Sequence, residues 1–505
     1  MTWPQFEQLF TPVQYTAEDR DRIERAFHFA ERAHHGQKRA TGEPYFNHIF
    51  SVAASVVGLG LDAEAVSAAL LHDTIEDCSV TKADLKKEFG ASIAFLVEGV
   101  SKVNKIKYHG VARRVESLRK MFLAVAEDVR VVLIKLCDRL NNMRTIAVLP
   151  PEKRNRISLE TLEVYAPLAY RLGIGELKGE LQDLAFPILY PDEYQWTKRE
   201  VAERIPQGKR YLDRVKPVIA GALKKEGVTP LKIDFRQKFL YSLWQKLMRY
   251  EMDFGRITDL LAMRIIVKDL DDCYKTLGIV HSLWKPLPGR IKDYIALPKP
   301  NGYRSLHTTV FCLEGKVTEI QIRTAEMHDE AEHGIAAHWA YEESGKPKTG
   351  IRADHPKLAW VRQLERWRKE IGSAVDAEEF LESLKIDLFK DRIFVLTPTG
   401  EVIDLPEGST PVDFAYHIHS QVGDHMMGAK VNGKMVPLSH MLSTGDTVQI
   451  LTQKNKRPSP DWMNFVRTPN ARSKVRAALH RADDLAARID PKSAKKARKR
   501  KNKSH

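Results

Sequence analysis

"LLHDTIEDC", residues 70 to 78, sets His72 beside Asp73, with Glu76 and Asp77 one helical turn further on. The stretch closes the longer run "DAEAVSAALLHDTIEDC", whose apolar residues recur at helical spacing behind an Asp cap at Asp62. That pattern predicts a single helix through the whole segment. Positions four apart on a helix face the same way, so His72 would pair with Glu76 and Asp73 with Asp77. Such a cluster fits either a solvated helix face or a metal centre.

The flanking helices bear on that choice. Upstream, "GEPYFNH" ends in His48, near the start of a helix that runs on through "IFSVAASVV". Downstream, "LCDRLNNMRT" carries Asp138 and Asn142, again one turn apart. His48, His72, Asp73 and Asp138 offer two imidazoles and two carboxylates, a set that suits a divalent metal of intermediate hardness such as Mn²⁺. A metal of that kind lowers the pKa of bound water toward ~7. Glu76 and Asp77 are then candidates for orienting or deprotonating that water. One His-Asp dipeptide is ordinarily structural, whereas all four pieces on helical segments favour the metal.

The bulk properties frame the rest. A chain of 505 residues predicts about three or four domains. Its longest apolar runs, "VLIKLC" and "LLAMRIIV", fall short of the ~20 residues of a membrane span. The N-terminus "MTWPQFEQLF" lacks a basic region and a cleavable apolar core, so no signal peptide and no membrane partner are expected. Cys78, Cys137, Cys273 and Cys312 lie far apart without paired spacing, which fits a reducing, cytoplasmic setting. Cys78 and Cys137 read as small buried apolar residues. Eight cations and no acid fall within "KSAKKARKRKNKSH" at the end of the chain, more than half of the formal +14. A tail of that composition is expected to be disordered and either to bind nucleic acid or to act as a solubilising segment.

Residues 16 to 190 read as helices, with breaks at Pro150-Pro151 and "ILYPDEY". From about residue 230 the pattern turns β-rich, and "TTVFCLEGKVTEIQIRT" reads as a hairpin turning at "EGK". Here a second constellation lies in a chain without a P-loop motif, so phosphates would be held by side chains. "RQKFLYSLWQK" offers Arg236, Lys238 and Lys246, and "GRIKDYIALPKPNGYRSLHT" adds Arg290, Lys292, Lys299, Arg304 and His307 around an Asn301-Gly302 turn. Asp259 and Glu319 oppose these cations. Strand alternation puts Val317, Glu319, Gln321 and Arg323 on one face, which is unusual for a core strand. Carboxylates facing many cations fit Mg²⁺-dependent transfer of a phosphoryl-type group. Taken alone, the same charges also fit a solvated face.

His48, the His72-Asp73 pair and Asp138 resemble the HD phosphohydrolases. The stretches "AHHGQKRATGEPYFNH", "LLHDTIED" and "CDRLNNMRT" are similar to the hydrolase domain of the RelA/SpoT homologues, which make and degrade the alarmone (p)ppGpp. The resemblance implies that these four residues hold Mn²⁺, that Glu76 and Asp77 assist the attacking water, and that Arg39, Asn142 and Thr145 hold the nucleotide. "DLLAMRIIV", "GRIKDYIALPKPNGYRSLHTTV" and "EIQIRTAEMHDEAEHGIAAHWAY" resemble the synthetase domain of the same family. That domain passes pyrophosphate from ATP to the 3′-hydroxyl of GDP or GTP. Carried over, Asp259 would bind Mg²⁺ and Glu319 would activate the hydroxyl. Arg236 and Arg264 would stack on adenine, and Lys238 and Lys246 would hold the ATP phosphates. Tyr303 would stack on guanine, with Lys299, Asn301 and His307 nearby, and Gln321 shares the face of Glu319. Arg290-Ile291-Lys292-Asp293 matches the R-x-K-D form of members with both activities. "KFLYSLWQKL" departs from the family's usual "KHIYSIYRKM", with Phe239 for a histidine and Trp244 for a tyrosine.

"TPVDFAYHIHSQVG", "GAKVNGK" and "VPL" resemble a TGS domain, which implies tRNA or ribosome contact through His417 and His419. The expected architecture is a multidomain α+β chain. An all-α HD-type hydrolase domain spans 1–195 and a mixed α/β nucleotidyltransferase-like synthetase domain 196–375. A small β-grasp TGS domain spans 385–452, and 453–505 is polar, partly helical and ends in the basic tail. The family's zinc-finger and ACT modules are not expected here, since no cysteine follows Cys312 to build a zinc finger of the cysteine type, and both a natural short form and a truncation fit that reading. The leading expectation is a bifunctional alarmone synthetase and hydrolase, with control passing through the helices at about 150 to 230. The alternatives are a hydrolase with a weakened synthetase and an RNA- or ribosome-binding sensor.

Overall fold

Side-chain caps open the helices of the N-terminal half. Thr16 accepts from Asp19 N (3.1 Å) at the head of Ala17–Ala33, and Asp62 accepts from Ala65 N (2.7 Å) at the head of Ala63–Leu71. Each cap satisfies an N–H that has no partner within its own helix. The computed structural model describes residues 1–10, 15–104, 110–257, 260–299, 301–337 and 392–489. Asp259 and the basic tail therefore lie outside the described residues. The chain divides into two units, Met1–Ala374 and Val375–His505.

In the first unit, two helices are buried nearly all round and form the centre of the helical half. Ala63–Leu71 exposes only Glu64 in part, and Val129–Arg144 buries all but Arg139, Asn142 and Arg144. A helix without a solvated face belongs in the middle of a bundle. The single helix expected through residue 78 is broken. Ala63–Leu71 ends, His72 and Asp73 form a turn, and Thr74–Asp77 begins a new one. His72 Nδ1 bonds the Ala69 carbonyl (2.8 Å) and Thr74 Oγ1 donates to that of Leu71 (2.6 Å), so side chains replace backbone partners there. The break brings His72 Nε2 within 3.1 Å of Asp73 Oδ2, where a regular helix would splay adjacent side chains by ~100°.

The sheet-containing half follows Pro191–Lys225, one helix that runs across the boundary expected at 195/196. Its strands are β1 (Lys232–Gln237), β2 (Leu261–Val267), β3 (Lys292–Asp293), β4 (Leu306–Phe311) and β5 (Val317–Thr324), in the order β1-β2-β5-β4-β3. Only β2 and β5 run parallel, and β4–β5 is the expected hairpin, turning at Leu313–Gly315. One sheet face carries Ile233, Met263, Ile265, Ile320 and Ile322 and packs on Leu212, Val215 and Ile219 of the long helix. Strand alternation leaves the polar residues on the opposite face.

The two halves meet through Gly175–Leu189. Asp183 accepts from Leu240 N (3.0 Å) and Tyr241 N (2.9 Å), capping the helix Leu240–Arg249 from outside it. A Cβ on Gly179 would overlap the Phe239 ring, and one on Gly334 (φ +62°) would run into the Leu172 carbonyl. Ile335 N donates to that same carbonyl (2.9 Å). On the hydrolase side, Arg144 Nε donates to Glu180 (2.8 Å).

The second unit pairs β6 (Arg392–Leu396) with β7 (Val402–Pro406), and builds a second sheet from β8 (Met426–Val431), β9 (Lys434–Val436) and β10 (Val448–Thr452). Leu396 N donates to Asp446 O (2.8 Å), tying the two sheets together as a β-grasp requires. The Asn432-Gly433 turn has φ +50° and +78°, the pair of positive values a tight hairpin needs. The segment after 453, expected to be polar and partly helical, carries the helix Pro469–Ile489 and also contributes to a core. Trp462, Val466, Ala471 and Val475 are buried against Val412, Ala415 and Tyr416 of the helix Pro411–Ile418. Hydropathy alone concealed this, because the apolar residues are few and widely spaced.

Asp413 fastens this packing. Buried in the first turn of Pro411–Ile418, it accepts from Thr410 N (2.8 Å), Arg467 N (3.0 Å) and Thr468 N (2.6 Å), so one carboxylate caps that helix and the entry to Pro469–Ile489. Asp413→Ala would strand several buried donors and should destabilise this unit by about 3 kcal/mol. Urea unfolding followed by Trp462 fluorescence would measure it, and an unchanged midpoint would remove Asp413 from this role.

Candidate metal centre and nucleotide cleft

The helix break, the first turn of Phe46–Gly58 and the middle of Val129–Arg144 deliver their side chains to one buried point. His48 Nε2 lies 3.4 Å from Asp138 Oδ1 and 3.5 Å from Asp73 Oδ2. Ligand atoms of His48, His72 and Asp138 all lie within 4.8 Å of one another. Among the described residues His72 Nε2 is buried with no hydrogen-bond partner, although Asp73 Oδ2 lies 3.1 Å away. His48 Nδ1 bonds Asn141 Oδ1 (2.6 Å), and His72 Nδ1 bonds Ala69 O. With both Nδ1 atoms occupied, both Nε2 atoms face the cluster, the arrangement second-shell partners impose on metal-binding histidines. Burial opposes charging His72, yet Asp73 and Asp138 draw its pKa up to about 9. Burial likewise opposes ionising Asp73, and His72 and His48 hold it well below the usual carboxylate range. A pocket that favours positive charge so strongly fits a divalent cation.

Three residues here escaped the sequence reading. Tyr45 Oη lies 2.8 Å from Asp73 Oδ2 and 2.7 Å from Asp77 Oδ2, and its ring stacks on His34. Lys135, fully inside the helical core, bonds Asp138 and keeps it ionised against burial. Asn141 joins His48 to Arg39 (3.2 Å to Nη1). The one available signal was proximity, since Tyr45 stands in "GEPYFNH" and Asn141 beside Asn142. Glu76 and Asp77 are exposed at the rim.

Arg39 gathers the expected nucleotide contacts, donating to Thr145 Oγ1 (3.2 Å) and bonding Asn142 Oδ1. These three residues line a cavity of about 440 Å³ with Tyr45, Lys153 and Arg156. Asn142 also donates to Asp138 Oδ1 (2.6 Å), linking cavity and metal cluster. Cys137 is buried as expected, and burial pushes its thiol up to about 12. Cys78 is instead half-buried, because its thiol donates to Ala33 O (3.3 Å).

On the polar face of the sheet, register aligns Asp234, Arg264, Gln321, His307 and Lys292 across five strands. The neighbouring row is Arg236, Ala262 and Glu319. Glu319 Oε1 accepts from Gln321 Nε2 (2.9 Å) and lies 3.2 Å from His307 Nδ1. Burial opposes its ionisation, but these bonds and the nearby Lys238 hold its pKa at about 2. Burial keeps His307 low as well, so near neutral pH it serves as a hydrogen-bond donor rather than a charge. His307 Nε2 meets Tyr303 Oη (2.8 Å), while Asn301 Oδ1 accepts from Tyr303 N (3.2 Å) and Lys299 Nζ lies 6.0 Å from the Tyr303 ring. Lys246 sits on the Leu240–Arg249 helix, and Arg290 is exposed in the loop before β3.

Arg323 departs from the expected aqueous face. It is fully buried against Glu332 and His328, because the helix Ala325–His333 covers that end of β5. Phe239 and Trp244 pack toward the junction, on Gly179 and on Phe186 and Tyr190 respectively. In the second unit His417 and His419 are both exposed, and His419 accepts from Gln421 N (3.2 Å) as a helix cap.

Residues 26–175 match the HD domain family, 235–346 the region found in RelA/SpoT proteins, and 393–452 the TGS domain family. Fold and site thus define an HD-type metal-binding domain, a sheet-based synthetase region and a TGS module in one chain. The chain is 46% identical over 478 residues to a guanosine-3′,5′-bis(diphosphate) 3′-pyrophosphohydrolase of Aquifex aeolicus, covering 94% of this chain and 67% of that protein. It is 46% identical over 479 residues to the bifunctional (p)ppGpp synthase/hydrolase SpoT of Escherichia coli, with the same coverage. It is 48% identical over 474 residues to a GTP pyrophosphokinase of Streptomyces coelicolor, covering 90% of this chain and 55% of that one. The chain belongs to the RelA/SpoT family. It spans 55% to 67% of the length of these relatives.

Asn141→Ala should weaken divalent-cation binding about 10- to 100-fold, the usual effect of losing a histidine's outer partner. Calorimetric titration with Mn²⁺ measures this directly, and wild-type affinity in the variant would mean that Asn141 does not orient His48.

Proposed function

We propose that the chain is a bifunctional alarmone enzyme that hydrolyses (p)ppGpp to GDP or GTP plus pyrophosphate. It also synthesises (p)ppGpp by moving pyrophosphate from ATP to the 3′-hydroxyl of GDP or GTP. The observation that carries the hydrolase reading is the convergence of His48, His72, Asp73 and Asp138 beside the Arg39, Asn142 and Thr145 cavity. These four residues would hold Mn²⁺, which supplies a Lewis acid able to make water acidic near neutral pH. Arg39 and Lys153 would bind phosphate, Asn142 and Thr145 would orient the ribose end, and Glu76 or Asp77 would take the water's proton. Tyr45 holds Asp77 in place beside Asp73.

For synthesis, Glu319 would accept the proton of the attacking hydroxyl, with Asp259 and Glu319 facing Mg²⁺. Arg236 and Arg264 would stack the adenine, and Lys238 and Lys246 would neutralise the ATP phosphates. Tyr303, Lys299, Asn301, His307 and Gln321 would hold the acceptor, with Arg290 and Lys292 at the loop that admits it. The proposed domains are 1–195, 196–375, 385–452 and 453–505. The TGS domain, through His417 and His419, and the basic tail would meet tRNA or the ribosome. Among the described residues no helix is long and apolar enough to cross a membrane, and the setting proposed for the chain is cytoplasmic.

Purified protein should release pyrophosphate from labelled ppGpp with Mn²⁺, lose this activity in EDTA, and lose it in Asp73→Ala. Synthesis from ATP and GDP should vanish in Glu319→Ala while hydrolysis persists. Since the Glu319 pKa is held at about 2, its carboxylate stays ionised across the assay range and should add no limb to the synthesis pH profile. No release with any divalent metal would sink the hydrolase half, and no synthesis would leave the hydrolase alone.

We further propose that Gly175–Leu189 carries reciprocal control, since it touches Arg144 beside one site and caps Leu240–Arg249 beside the other. Under this coupling GDP should alter hydrolysis by the wild-type protein, and Gly334→Ala, whose Cβ would run into the Leu172 carbonyl, should change both rates and abolish that effect. Retention of that effect would contradict the coupling role.

A further inference from the structure

All three nitrogens of the Arg264 guanidinium are held at its edge. Nε donates to Asp234 Oδ1 (2.7 Å) and Nη2 to Asp234 Oδ2 (2.7 Å), a fork offered by the paired residue on β1. Nη1 donates to Glu332 Oε1 (3.0 Å) from the helix Ala325–His333. The same oxygen accepts from Nη2 of Arg323 (3.0 Å), which also meets His328 Nδ1 (2.7 Å). A guanidinium is planar and its N–H bonds lie in that plane. Anchors on three nitrogens therefore fix the plane, and with the side chain 12% exposed only the flat faces remain for a ligand to meet.

The surroundings fit that constraint. Ala262 shares the sheet face two residues before Arg264 and puts only a methyl group between Arg236 and Glu319 in register. Arg323 is 0% exposed, and its Nε and Nη1 have no hydrogen-bond partner among the described residues. Its burial depends on Glu332. Burial opposes ionising Glu332 and Asp234, but the arginines hold both below the usual carboxylate range. Buried ion clusters are a weak source of stability compared with apolar packing. A positioning task accounts for this one better.

We propose that Asp234 and Glu332 are positioning residues that lock the Arg264 guanidinium so that its face receives the purine base of the donor triphosphate. They thereby set a preference for purine over pyrimidine. The inference rests on the synthetase reading above and adds to it the two residues that act through Arg264. Neither residue is asked to touch substrate.

The test uses the full chain, with Glu332→Gln and Asp234→Asn, and titrates α,β-methylene-ATP, its cytidine counterpart and GDP. The expected result is an affinity for the adenine analogue about 5- to 30-fold weaker, as for loss of a cation–π stack on a base. The cytidine analogue should lose less, because its single ring covers less of the guanidinium face, while GDP should bind as before and ppGpp hydrolysis should be unchanged, which reports an intact fold. Glu332→Asp should recover part of the loss. Arg264→Lys, which keeps the charge without the planar face, should show the same purine-selective defect. Unchanged adenine affinity would overturn the proposal, as would a parallel loss for all three ligands, the mark of a merely structural role. Wild-type protein that binds neither triphosphate nor GDP would instead overturn the synthetase reading itself.

Discussion

Two carboxylates, Asp73 and Asp138, sit buried among apolar helices, and their charge has to be balanced within a few ångströms. Burying an unpaired carboxylate costs far more than a small domain can tolerate. The helical half answers with His48, His72 and Lys135. Much of its architecture follows from that requirement. Ala63–Leu71 stops where it does so that adjacent residues can both reach the cluster, and Val129–Arg144 carries a lysine and an aspartate inside the core.

The sheet solves a different problem by using its two faces separately. Isoleucine, valine and methionine on one face bind it to the Pro191–Lys225 helix. The opposite face is then free to hold charges in rows, each strand placing one residue opposite the next. Glu319 stays ionised because neighbours on β4 and β5 donate to it, and the Arg264 guanidinium keeps a fixed plane because two carboxylates grip its edge. Neither effect arises within a single strand.

Between the two halves, glycine does what no other residue could. Gly334 lies against the Leu172 carbonyl at positive φ, and Gly179 lies under Phe239. Close backbone contact of this kind transmits small shifts, since packed interfaces have little compressibility. Phe239 and Trp244, which depart from the family pattern, fall in this junction and not among the groups of the polar sheet face.

The amino-acid sequence was enough to read the helical first half, the switch to strands near residue 230, the β4–β5 hairpin and the β-grasp turns, and it named residues that the fold brings together at the buried His48–Asp138 cluster and along the polar sheet face. Those features are written in local periodicity, in turn residues such as Asn432-Gly433, and in charged types that are out of place on apolar elements. Tertiary structure decided the rest. It broke the helix at His72, recruited Tyr45, Asn141 and Lys135, drew Trp462 and Val475 into a core, and buried Arg323 under Glu332. Each of these depends on a partner distant in sequence or on a side chain displacing a backbone hydrogen bond. Local pattern carries no information about such partners, because the energy that selects them exists only once the segments have packed together.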